Sequence, residues 1–423
     1  MIETALVWAA VSGGSLAYFN PAVRLSSARG FPLALPMCYL RATERSCRDP
    51  NEYGPDIQPR VRRVVASRGE IAVIGVGIVG CNYGRNVLLP AFRTEARCEV
   101  VALAGTDAAR TAELARAANV ARGLGDWRAL VEDRAVAVVA IAIPPALQPE
   151  VARHALDLGK PVFVEKPLAP DLAGAKIMLD CARRSGRPTI IDFNFPELPS
   201  WRRAKAILDG GALGRLRHVV VTWNVENQAT RLRLESWKTR GDGGGGLLGN
   251  FVCHCFHYLE WFCGRIAGLG GRMFPLPDRD AESSVALALA FASGAGGSLQ
   301  MSCASFLGSG HRIEFYGEGG TLVLANPTAD YFRGFELMQA SRADKALQAV
   351  AVEDADVDRS SDSRVAPVAQ LVHRLIDACE RGGSPSPGFA EGHRVQCLID
   401  AARRAHASGR WIDVAPPIGA ERP

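Results

Sequence analysis

The sequence predicts an α/β protein in which a doubly wound parallel sheet is followed by a second domain with a large, mostly antiparallel, open-faced sheet. Its 423 residues exceed what one hydrophobic core usually holds, so we expect two domains. From Gly69 onward, short apolar runs alternate with helical stretches, which is the pattern of strand–helix–strand units. After Asp192, strand-like runs follow one another directly, as they do in antiparallel sheets.

The first domain is predicted over residues 69–192. A buried strand at 71–74 ends in glycines, and a helical stretch extends from there to Phe92. Pro149 favours the start of another helix, because proline fits the first helical turn, and Gly159 ends that helix. The other predicted elements are strands at 100–104, 136–143 and 161–164 and a helix at 108–118. Strands that alternate with helices imply right-handed crossovers and a parallel sheet.

The second domain is predicted over residues 193–414, with a short tail at 415–423. Turns such as Ser293-Gly294 separate its strands, and we expect a few helices on one side of the sheet. A last amphipathic helix at 392–407 closes the domain. The predicted strands lie at 216–223, 284–291, 297–302, 312–316 and 321–324.

Residues 1–68 do not share this rhythm. They contain proline and glycine breakers and a basic patch at 60–63, without a sustained hydrophobic period. Such a segment buries too little apolar surface to offset its ordering entropy, so we expect a poorly ordered extension or residues upstream of the true start. A targeting or docking segment is the alternative. The apolar run that ends at Phe19 resembles a secretory signal only loosely, because a basic region does not precede it.

Composition narrows the classes of partner. The formal net charge is only +5, and basic residues interleave with acidic ones, so a nucleic-acid-binding surface is not expected. No apolar run reaches the length of roughly eighteen residues that a membrane helix needs. Eleven cysteines are scattered without a framework, which favours reduced thiols and a cytoplasmic location. We therefore expect a small-molecule partner.

A glycine-rich string at the start of the first domain favours dinucleotide binding. In a G-x-G-x-x-G turn the first glycine permits the bend, the second admits the pyrophosphate, and the third lets helix and strand pack closely. The amides of the helix N-terminus then face the anion. The string is Gly75-Val76-Gly77-Ile78-Val79-Gly80, which we expect to contact NAD or NADP.

The end of the second strand informs the choice between these nucleotides. An acidic residue there would bind the ribose 2′-hydroxyl and repel a 2′-phosphate. The expected position holds Gly105 or Thr106, with Asp107 displaced and Arg110 nearby. This arrangement favours NADP slightly over NAD.

Two further strings place a lysine beside the cofactor crevice. The strand at 136–143 runs through Ile143 into Pro144-Pro145, and Glu165-Lys166-Pro167 follows the next strand. The carboxyl ends of parallel strands meet at one edge, so Lys166 should lie there. With these motifs the sequence resembles the Gfo/Idh/MocA family of oxidoreductases. The resemblance covers residues 71 to about 414 and implies a Rossmann domain plus a sheet domain that often forms the oligomer interface.

The same resemblance implies a second motif, a glycine-rich stretch that leads to an aspartate and, four residues later, a histidine. Here the stretch begins at Gly243 and leads to Asn250 and His254, so asparagine replaces the usual acid. Asparagine forms hydrogen bonds but takes no proton. His257 likewise stands where the family often has an acid.

The resemblance also implies roles. Lys166 and His254 would form the acid/base pair, with Lys166 in direct contact with the reacting hydroxyl and Asn250 beside them. Gln148 stands where a histidine often lies beside the nicotinamide, and Glu165 belongs to the cofactor edge. The substrate side would include Asn194, Trp237, Asn250 and His254, whereas Trp223 is expected in the core.

A metal site is the competing interpretation of one segment. Cys253, His254, Cys255, His257 and Cys263 lie close in sequence, but successive residues of a helix point in different directions, and zinc-type spacing is absent. We expect no metal, with the cysteines acting as small buried residues.

The resulting expectation is an NAD(P)-dependent oxidoreductase that transfers a hydride to or from a hydroxyl or keto carbon of a sugar, cyclitol or sugar derivative. A homodimer or homotetramer would form through the second sheet. A nucleotide-binding sensor with weakened chemistry is the alternative, and the replacement at Asn250 favours it. A reductase of an imine or a tetrapyrrole on the same scaffold is a third possibility.

Overall fold

The computed structural model describes residues 73–241, 243–353 and 362–416. The predicted N-terminal extension, and most of the predicted C-terminal tail, lie outside these residues. Within them, no helix combines the length and the apolar character that a membrane crossing requires. The cysteines in these ranges are all free thiols.

The first domain contains six strands: β1 (Ile74–Val79), β2 (Cys98–Ala104), β3 (Arg122–Leu124), β4 (Val138–Ile141), β5 (Val162–Val164) and β6 (Thr189–Ile191). A π-helical turn (Gly84–Leu88) continues into α1 (Leu89–Arg93), and the later helices are α2 (Ala108–Ala117), α3 (Trp127–Glu132), α4 (Gln148–Asp157) and α5 (Leu172–Ser185). The strands pair in parallel in the order β3-β2-β1-β4-β5-β6. The order reverses between β1 and β4, and ligands of such sheets bind at this switch point.

The first strand lies later in the chain than the sequence predicts. We expected a strand at 71–74 followed by a glycine turn, but β1 occupies Ile74–Val79 and contains Gly75 and Gly77. Its central residues pair with β2 on one side and β4 on the other. The glycines are needed here for packing: a Cβ at Gly75 would overlap the carbonyl oxygen of Ala135, and one at Gly77 would lie 2.5 Å from Leu130 Cδ2.

The second domain begins with a 3₁₀ turn (Phe195–Glu197), α6 (Pro199–Asp209), β7 (Leu216–Asn224) and α7 (Gln228–Arg231). A second 3₁₀ turn (Trp237–Thr239) and a π-helical turn (Leu248–Val252) precede α8 (Cys253–Cys263). The remaining strands are β8 (Ile266–Pro275), β9 (Glu282–Phe291), β10 (Gly296–Ser302), β11 (Gly310–Gly317), β12 (Gly320–Asn326), β13 (Glu336–Ser341), β14 (Gln348–Ala349) and β15 (Ile412–Asp413). The last helices are α9 (Val365–Arg381) and α10 (Phe389–Ser408).

The strands of the second domain form one nine-stranded sheet in the order β14-β13-β12-β11-β7-β10-β9-β8-β15. The β7–β10 pair is parallel, and the other paired neighbours are antiparallel. All five strands predicted here are present, with ends within two residues of the prediction. The predicted fold class, a parallel sheet followed by a mostly antiparallel one, is confirmed.

One face of this sheet is buried and the other is open. In β9, Val285, Leu287 and Leu289 are buried, whereas the alternating Ala286 and Ala288 are exposed. The period of two places the apolar set on the helix-covered face and leaves small or polar residues on the other. The helices on the covered side include α6 and α8, and the buried Trp223 of β7 confirms its predicted place in the core.

The helix α9 lies near the end of the chain but packs against the first domain. Val368, Leu371 and Leu375 share a buried cluster with Val76 and Leu88 of the nucleotide-binding half. Arg97 Nη1 also lies 2.7 Å from Asp377 Oδ1. The boundary predicted at 192/193 therefore describes chain order, whereas the core of the first domain includes a helix from the C-terminal part.

Candidate active site

The turn that follows β1 lies at Gly80–Gly84. Gly80 has φ +112°, and its amide donates to the Ala104 carbonyl at 2.8 Å. A Cβ at this position would overlap the carbonyl oxygen of Ala142, at the end of β4. A Cβ at Gly84 would lie 2.7 Å from Ile78 Cγ2, so this glycine lets the helix pack closely on the strand. Gly80 and Gly84 thus have the positions that a phosphate-binding turn requires.

This geometry corrects the prediction for the glycine string. Gly75, Gly77, Ile78 and Val79 belong to the buried strand rather than to the turn, and only Gly80 lies where a nucleotide could approach. The reason is the strand length: β1 continues through the first two glycines because neighbouring backbone and side chains fill the space of a Cβ. The signal that was missed is the Gly-x-x-x-Gly spacing of Gly80 and Gly84, which directly follows the apolar pair Ile78-Val79.

The end of β2 presents polar residues to solvent. Thr106 and Arg110 are exposed, as expected for residues that contact a bound nucleotide. The Asp107 side chain accepts a hydrogen bond from the Arg110 amide at 3.0 Å and so caps α2. The carboxylate nearest the predicted ribose position therefore already has a structural role.

The segment after β4 separates into solvent-facing and structural residues. Ile143 is half-buried beside the turn, because a Cβ at Gly80 would lie 3.3 Å from Ile143 Cγ2. Pro144 is exposed, whereas Pro145 is buried next to Gly244 of the second domain.

Gln148 does not occupy the predicted place beside the nicotinamide. It is fully buried at the start of α4, and its Nε2 donates to the carbonyl oxygens of Pro167 at 2.7 Å and Leu168 at 3.3 Å. The amide side chain therefore positions the loop that carries Lys166. A buried position with two carbonyl acceptors explains why an amide stands there.

Lys166 joins the two halves of the site. It follows β5 at the switch-point edge, is half-buried, and its Nζ donates to the carbonyl oxygen of Asn250 at 2.7 Å. Glu165 precedes it and is also half-buried. The structure thus brings together the two strings that the sequence predicts to cooperate, although 84 residues separate them.

The glycine-rich stretch of the second domain forms a tight entrance to a helix. Gly244 and Gly246 have φ values of +78° and +74°. A Cβ at Gly249 would overlap the Gly244 carbonyl oxygen. Glu282 Oε1 accepts the Leu248 amide at 2.8 Å, which satisfies one of the free amides at the helix start.

The asparagine in place of an acid has a clear local role. Asn250 Nδ2 donates to the carbonyl oxygen of Gly246 at 2.8 Å and to that of Lys238 at 3.0 Å. An aspartate cannot donate either bond. The Asn250 side chain therefore closes the glycine loop, while its backbone carbonyl aligns Lys166.

His254 lies one turn beyond Asn250, at the start of α8. It is 6% exposed, its ring lies edge-on to Phe193 and Phe195, and its Nδ1 has no hydrogen-bond partner among the residues that the structure describes. Burial, followed by the positive charge of Lys166, lowers the pKa of His254 well below its ordinary value. The imidazole is therefore neutral at physiological pH.

The other candidates around His254 are packing residues. His257 stacks on Phe193 with a centroid distance of 4.4 Å, and burial lowers its pKa to about 3. Cys253 and Cys255 are buried on the same helix. A group of three or more metal-type ligands is absent from the ranges that the structure covers.

The two remaining substrate candidates differ in exposure. Asn194 is only 2% exposed, and its Oδ1 is buried without a partner among the described residues. Trp237 is half-buried beside the glycine stretch, where a Cβ at Gly245 would overlap its carbonyl oxygen. Trp237 therefore forms a wall of the entrance, whereas Asn194 lies beneath the site.

A small cleft, whose open volume of about 20 Å³ is room for about one water molecule, opens beside Asn250. Most of its polar lining comes from the second domain: Asn227, Thr230, Lys238, Thr239, Arg279, Glu282 and Ser283. Such a mixture of hydroxyl, amide and charged groups suits a polar ligand.

The half-buried Tyr83 and the buried Asp192 at this edge were not predicted from the sequence. Tyr83, in the turn after β1, donates its hydroxyl to Asp192 Oδ2 at 2.8 Å, and Asp192 follows β6. Glu165 lies at the end of the neighbouring strand, because Val164 pairs with Ile191. The available signal was the position of Asp192 at the carboxyl end of a parallel strand, the same edge that carries Lys166.

Comparison with known proteins identifies the architecture. The sequence-family model described as an oxidoreductase family with an NAD-binding Rossmann fold matches residues 71–193. A second family model, described as the GFO/IDH/MocA C-terminal domain, matches residues 201–323. The chain belongs to the Gfo/Idh/MocA family of oxidoreductases. Its first domain is the NAD-binding Rossmann domain of that family.

Individual relatives cover most of the chain. An oxidoreductase of Synechocystis sp. is 28% identical over 354 residues, which is 80% of this chain and 95% of the relative. Levoglucosan dehydrogenase of Pseudarthrobacter phenanthrenivorans is 26% identical over 350 residues, or 73% of this chain and 87% of that enzyme. A solved levoglucosan dehydrogenase in complex with NADH superposes with a TM-score of 0.72 at 25% identity, covering 82% of this chain and all of that one.

Proposed function

We propose that this Gfo/Idh/MocA protein transfers a hydride between a nicotinamide nucleotide and a hydroxyl or keto carbon of a sugar, cyclitol or sugar derivative. The 2.7 Å contact from Lys166 Nζ to the Asn250 carbonyl carries this proposal. It fixes an ammonium group at the switch point of the first sheet, beside the polar cleft of the second domain. The nucleotide and the substrate would meet between these two halves.

The residues at this junction have complementary roles. When bound, the nicotinamide ring accepts or returns the hydride. In its neutral amine form, Lys166 takes the hydroxyl proton as the substrate is oxidised and becomes an ammonium group, which returns the proton in the reverse direction. His254 stays neutral because burial lowers its pKa, so it orients the substrate oxygen by hydrogen bonding. Asn250 aligns Lys166 through its carbonyl oxygen and holds the glycine loop through its amide.

The turn at Gly80–Gly84 and the residues Thr106, Arg110, Ile143, Pro144 and Glu165 would form the nucleotide side. We propose NADP as the favoured nucleotide, with NAD as the alternative. Thr106 cannot repel a 2′-phosphate, Asp107 is engaged in capping α2, and the exposed Arg110 is free to approach one. The NADH found in the levoglucosan dehydrogenase complex supports NAD instead.

A pair of variants tests the nucleotide preference. Arg110→Ala should weaken NADP binding about tenfold and leave NAD binding unchanged, because a lost charge-assisted hydrogen bond is worth about 1.5 kcal/mol or more. Thr106→Asp should favour NAD. Both effects would be read from the Kd of each reduced nucleotide by fluorescence titration. Equal weakening of both nucleotides in Arg110→Ala would remove the preference.

The substrate class rests on the cleft and on the relatives. Hydroxyl-bearing rings need several hydrogen-bonding side chains, and the polar side chains around the cleft beside Asn250 are of this kind. Relatives that match parts of the chain are named levoglucosan dehydrogenase, D-xylose dehydrogenase and inositol 2-dehydrogenase. These names describe their own substrates and support polyhydroxylated rings here.

A panel of sugars, cyclitols and keto sugars, assayed by nicotinamide absorbance with both nucleotides, tests the reaction. Lys166→Ala should lower kcat by about 10²- to 10⁴-fold. The matched control is Lys176→Ala on α5, where the exposed lysine pairs only with Asp180 among the ion pairs of the described chain. Tight nucleotide binding without turnover of any panel member would support the sensor alternative.

We further propose a homodimer or homotetramer that pairs through the open face of the nine-stranded sheet. The small exposed residues Ala286 and Ala288 let a second copy approach this face closely, and the exposed Gln300 amide could form hydrogen bonds with it. Light scattering should give two or four chains per particle, and Ala288→Arg should reduce that number. A cytoplasmic location remains a prediction from the free cysteines.

A further inference from the structure

Three loops bring Tyr83, Glu165 and Asp192 together beneath the proposed active site. Glu165 and Asp192 follow the neighbouring strands β5 and β6, where Val164 pairs with Ile191. The Asp192 amide donates to the Val164 carbonyl at 2.9 Å, which fixes the two acidic residues side by side. Tyr83 reaches the same place from the turn after β1 and donates to Asp192 Oδ2 at 2.8 Å.

If both acids are ionised, two of their carboxylate oxygens lack a hydrogen-bond donor among the residues that the structure covers. Asp192 is 1% exposed, and its Oδ1 and the Glu165 Oε1 are buried without a donor in the described part of the chain. Two neighbouring carboxylates in a dry environment repel each other strongly, whereas one proton between them supplies the missing donor. Burial, followed by the negative charge of Glu165, raises the pKa of Asp192 well above its ordinary value.

We propose that Glu165 and Asp192 hold one proton between them, and that the single negative charge of this carboxyl pair sets the proton affinity of Lys166. Glu165 and Asp192 are thus positioning residues that act through the lysine. The role assigned to Lys166 rests on the proposed function. The proton sharing itself rests on the hydrogen-bond geometry.

The charged groups around the carboxyl pair are two lysines and one arginine. Lys166 lies next to Asp192, and Lys238 contributes a second positive charge near Glu165. Arg364, at the start of α9, lies 5.1 Å above the Tyr83 ring and is paired with Asp362. Two negative charges would favour the ammonium form of Lys166 more strongly than one does, and a neutral pair would not favour it.

Isosteric amides separate the possible charge states. Asp192→Asn and Glu165→Gln each replace one acid with an amide that donates where the shared proton lay, so each leaves a net charge of minus one. The double variant leaves no charge. Loss of the negative charge should lower the Lys166 pKa by about one unit or more in the double variant. In each single variant this pKa should stay close to that of the wild type.

The Lys166 pKa can be measured without turnover, by competitive acetylation of amines across a pH series followed by mass spectrometry of the peptide. Glu150→Gln is the matched control, because this exposed acid pairs with Arg128. A shift in a single variant as large as that of the double variant would overturn the proposal. So would an unshifted lysine in a folded double variant.

Infrared difference spectroscopy of the wild-type protein provides a test that needs no double variant. A protonated carboxyl band should be present at neutral pH and disappear in Asp192→Asn, and its absence from the wild type would refute proton sharing. Failure of the proposed function has a separate signature. In that case Lys166→Ala would retain turnover, while the carboxyl band and the lysine titration would be unaffected.

Discussion

The two glycine-rich segments of this protein look alike in sequence and differ in structure. In the first, two glycines are part of a buried strand, and only Gly80 and Gly84 shape the turn and its helix. In the second, Gly244 and Gly246 adopt left-handed conformations within one short loop. The comparison shows that the space around a missing Cβ, rather than the spacing of the letters, decides what a glycine does.

The largest effect should come from the second segment. Gly249→Ala places a Cβ onto the Gly244 carbonyl oxygen, so the helix that presents Asn250 and His254 must move. Because displaced catalytic groups cost about 10²-fold, we expect kcat/KM to fall by at least that factor. Gly243→Ala is the matched control, since no atom lies within 4 Å of the added Cβ. Similar activity of both variants would contradict a sterically required loop.

The first segment should separate stability from binding. Gly75→Ala overlaps the Ala135 carbonyl oxygen inside the sheet and should destabilise the protein by about 2 kcal/mol or more. Gly80→Ala should lower both stability and nucleotide affinity, because its Cβ overlaps the Ala142 carbonyl oxygen and the residue lies at the turn. Urea denaturation and nucleotide titration on both variants check the distinction. A Gly75→Ala protein of normal stability and weakened nucleotide affinity would restore the original prediction for the string.

A smaller effect is expected where the two halves meet. Asn250→Asp removes both hydrogen bonds to the Gly246 and Lys238 carbonyls and places a carboxylate near those oxygens. We expect a loss of about 1–3 kcal/mol in the free energy of unfolding. Asn250→Ala should cost less, because it adds no repulsive charge. If Asn250→Asp instead raised both stability and turnover, the asparagine would not serve the loop.

The smallest effect concerns pH and belongs to the second domain. His311 is buried, its Nε2 lies 2.9 Å from the Tyr258 hydroxyl, and burial lowers its pKa to about 3. Its contribution to stability is therefore complete above the unfolded value near 6.5 and is lost as the pH falls toward 3. The slope should be about 1 kcal/mol per pH unit. Urea midpoints of the wild type and His311→Gln between pH 7 and 5 measure it, and equal slopes would contradict it.

The sequence analysis predicted the fold class because hydrophobic periods of two and of 3.6 residues are local signals. For this reason, the five strands that were predicted in the second sheet end within two residues of their predicted ends. The strand β8 was not predicted, since Gly268 and Gly270 interrupt its pattern and the Trp411 ring fills the space above them. A contact with a residue more than 140 positions away leaves no local signal.

Some residues of the candidate active site could be predicted from the sequence, and others could not. Lys166, Asn250 and His254 were found from motifs, and the structure brings Lys166 to Asn250. The role of Gln148 as a loop support and the approach of Tyr83 to Asp192 were not found. Both depend on which strand ends become neighbours, and on how far each side chain is buried, so a linear pattern does not reveal them.

The place of α9 has a consequence for how the protein is made. The nucleotide-binding half completes its hydrophobic core with residues 365–381, which leave the ribosome after strands β7 to β14 of the second domain. The family models end at residue 323, before this helix begins. A chain that stops at residue 323 would therefore yield a first domain with an uncovered apolar face, because residues 365–381 must be synthesised before that domain is finished.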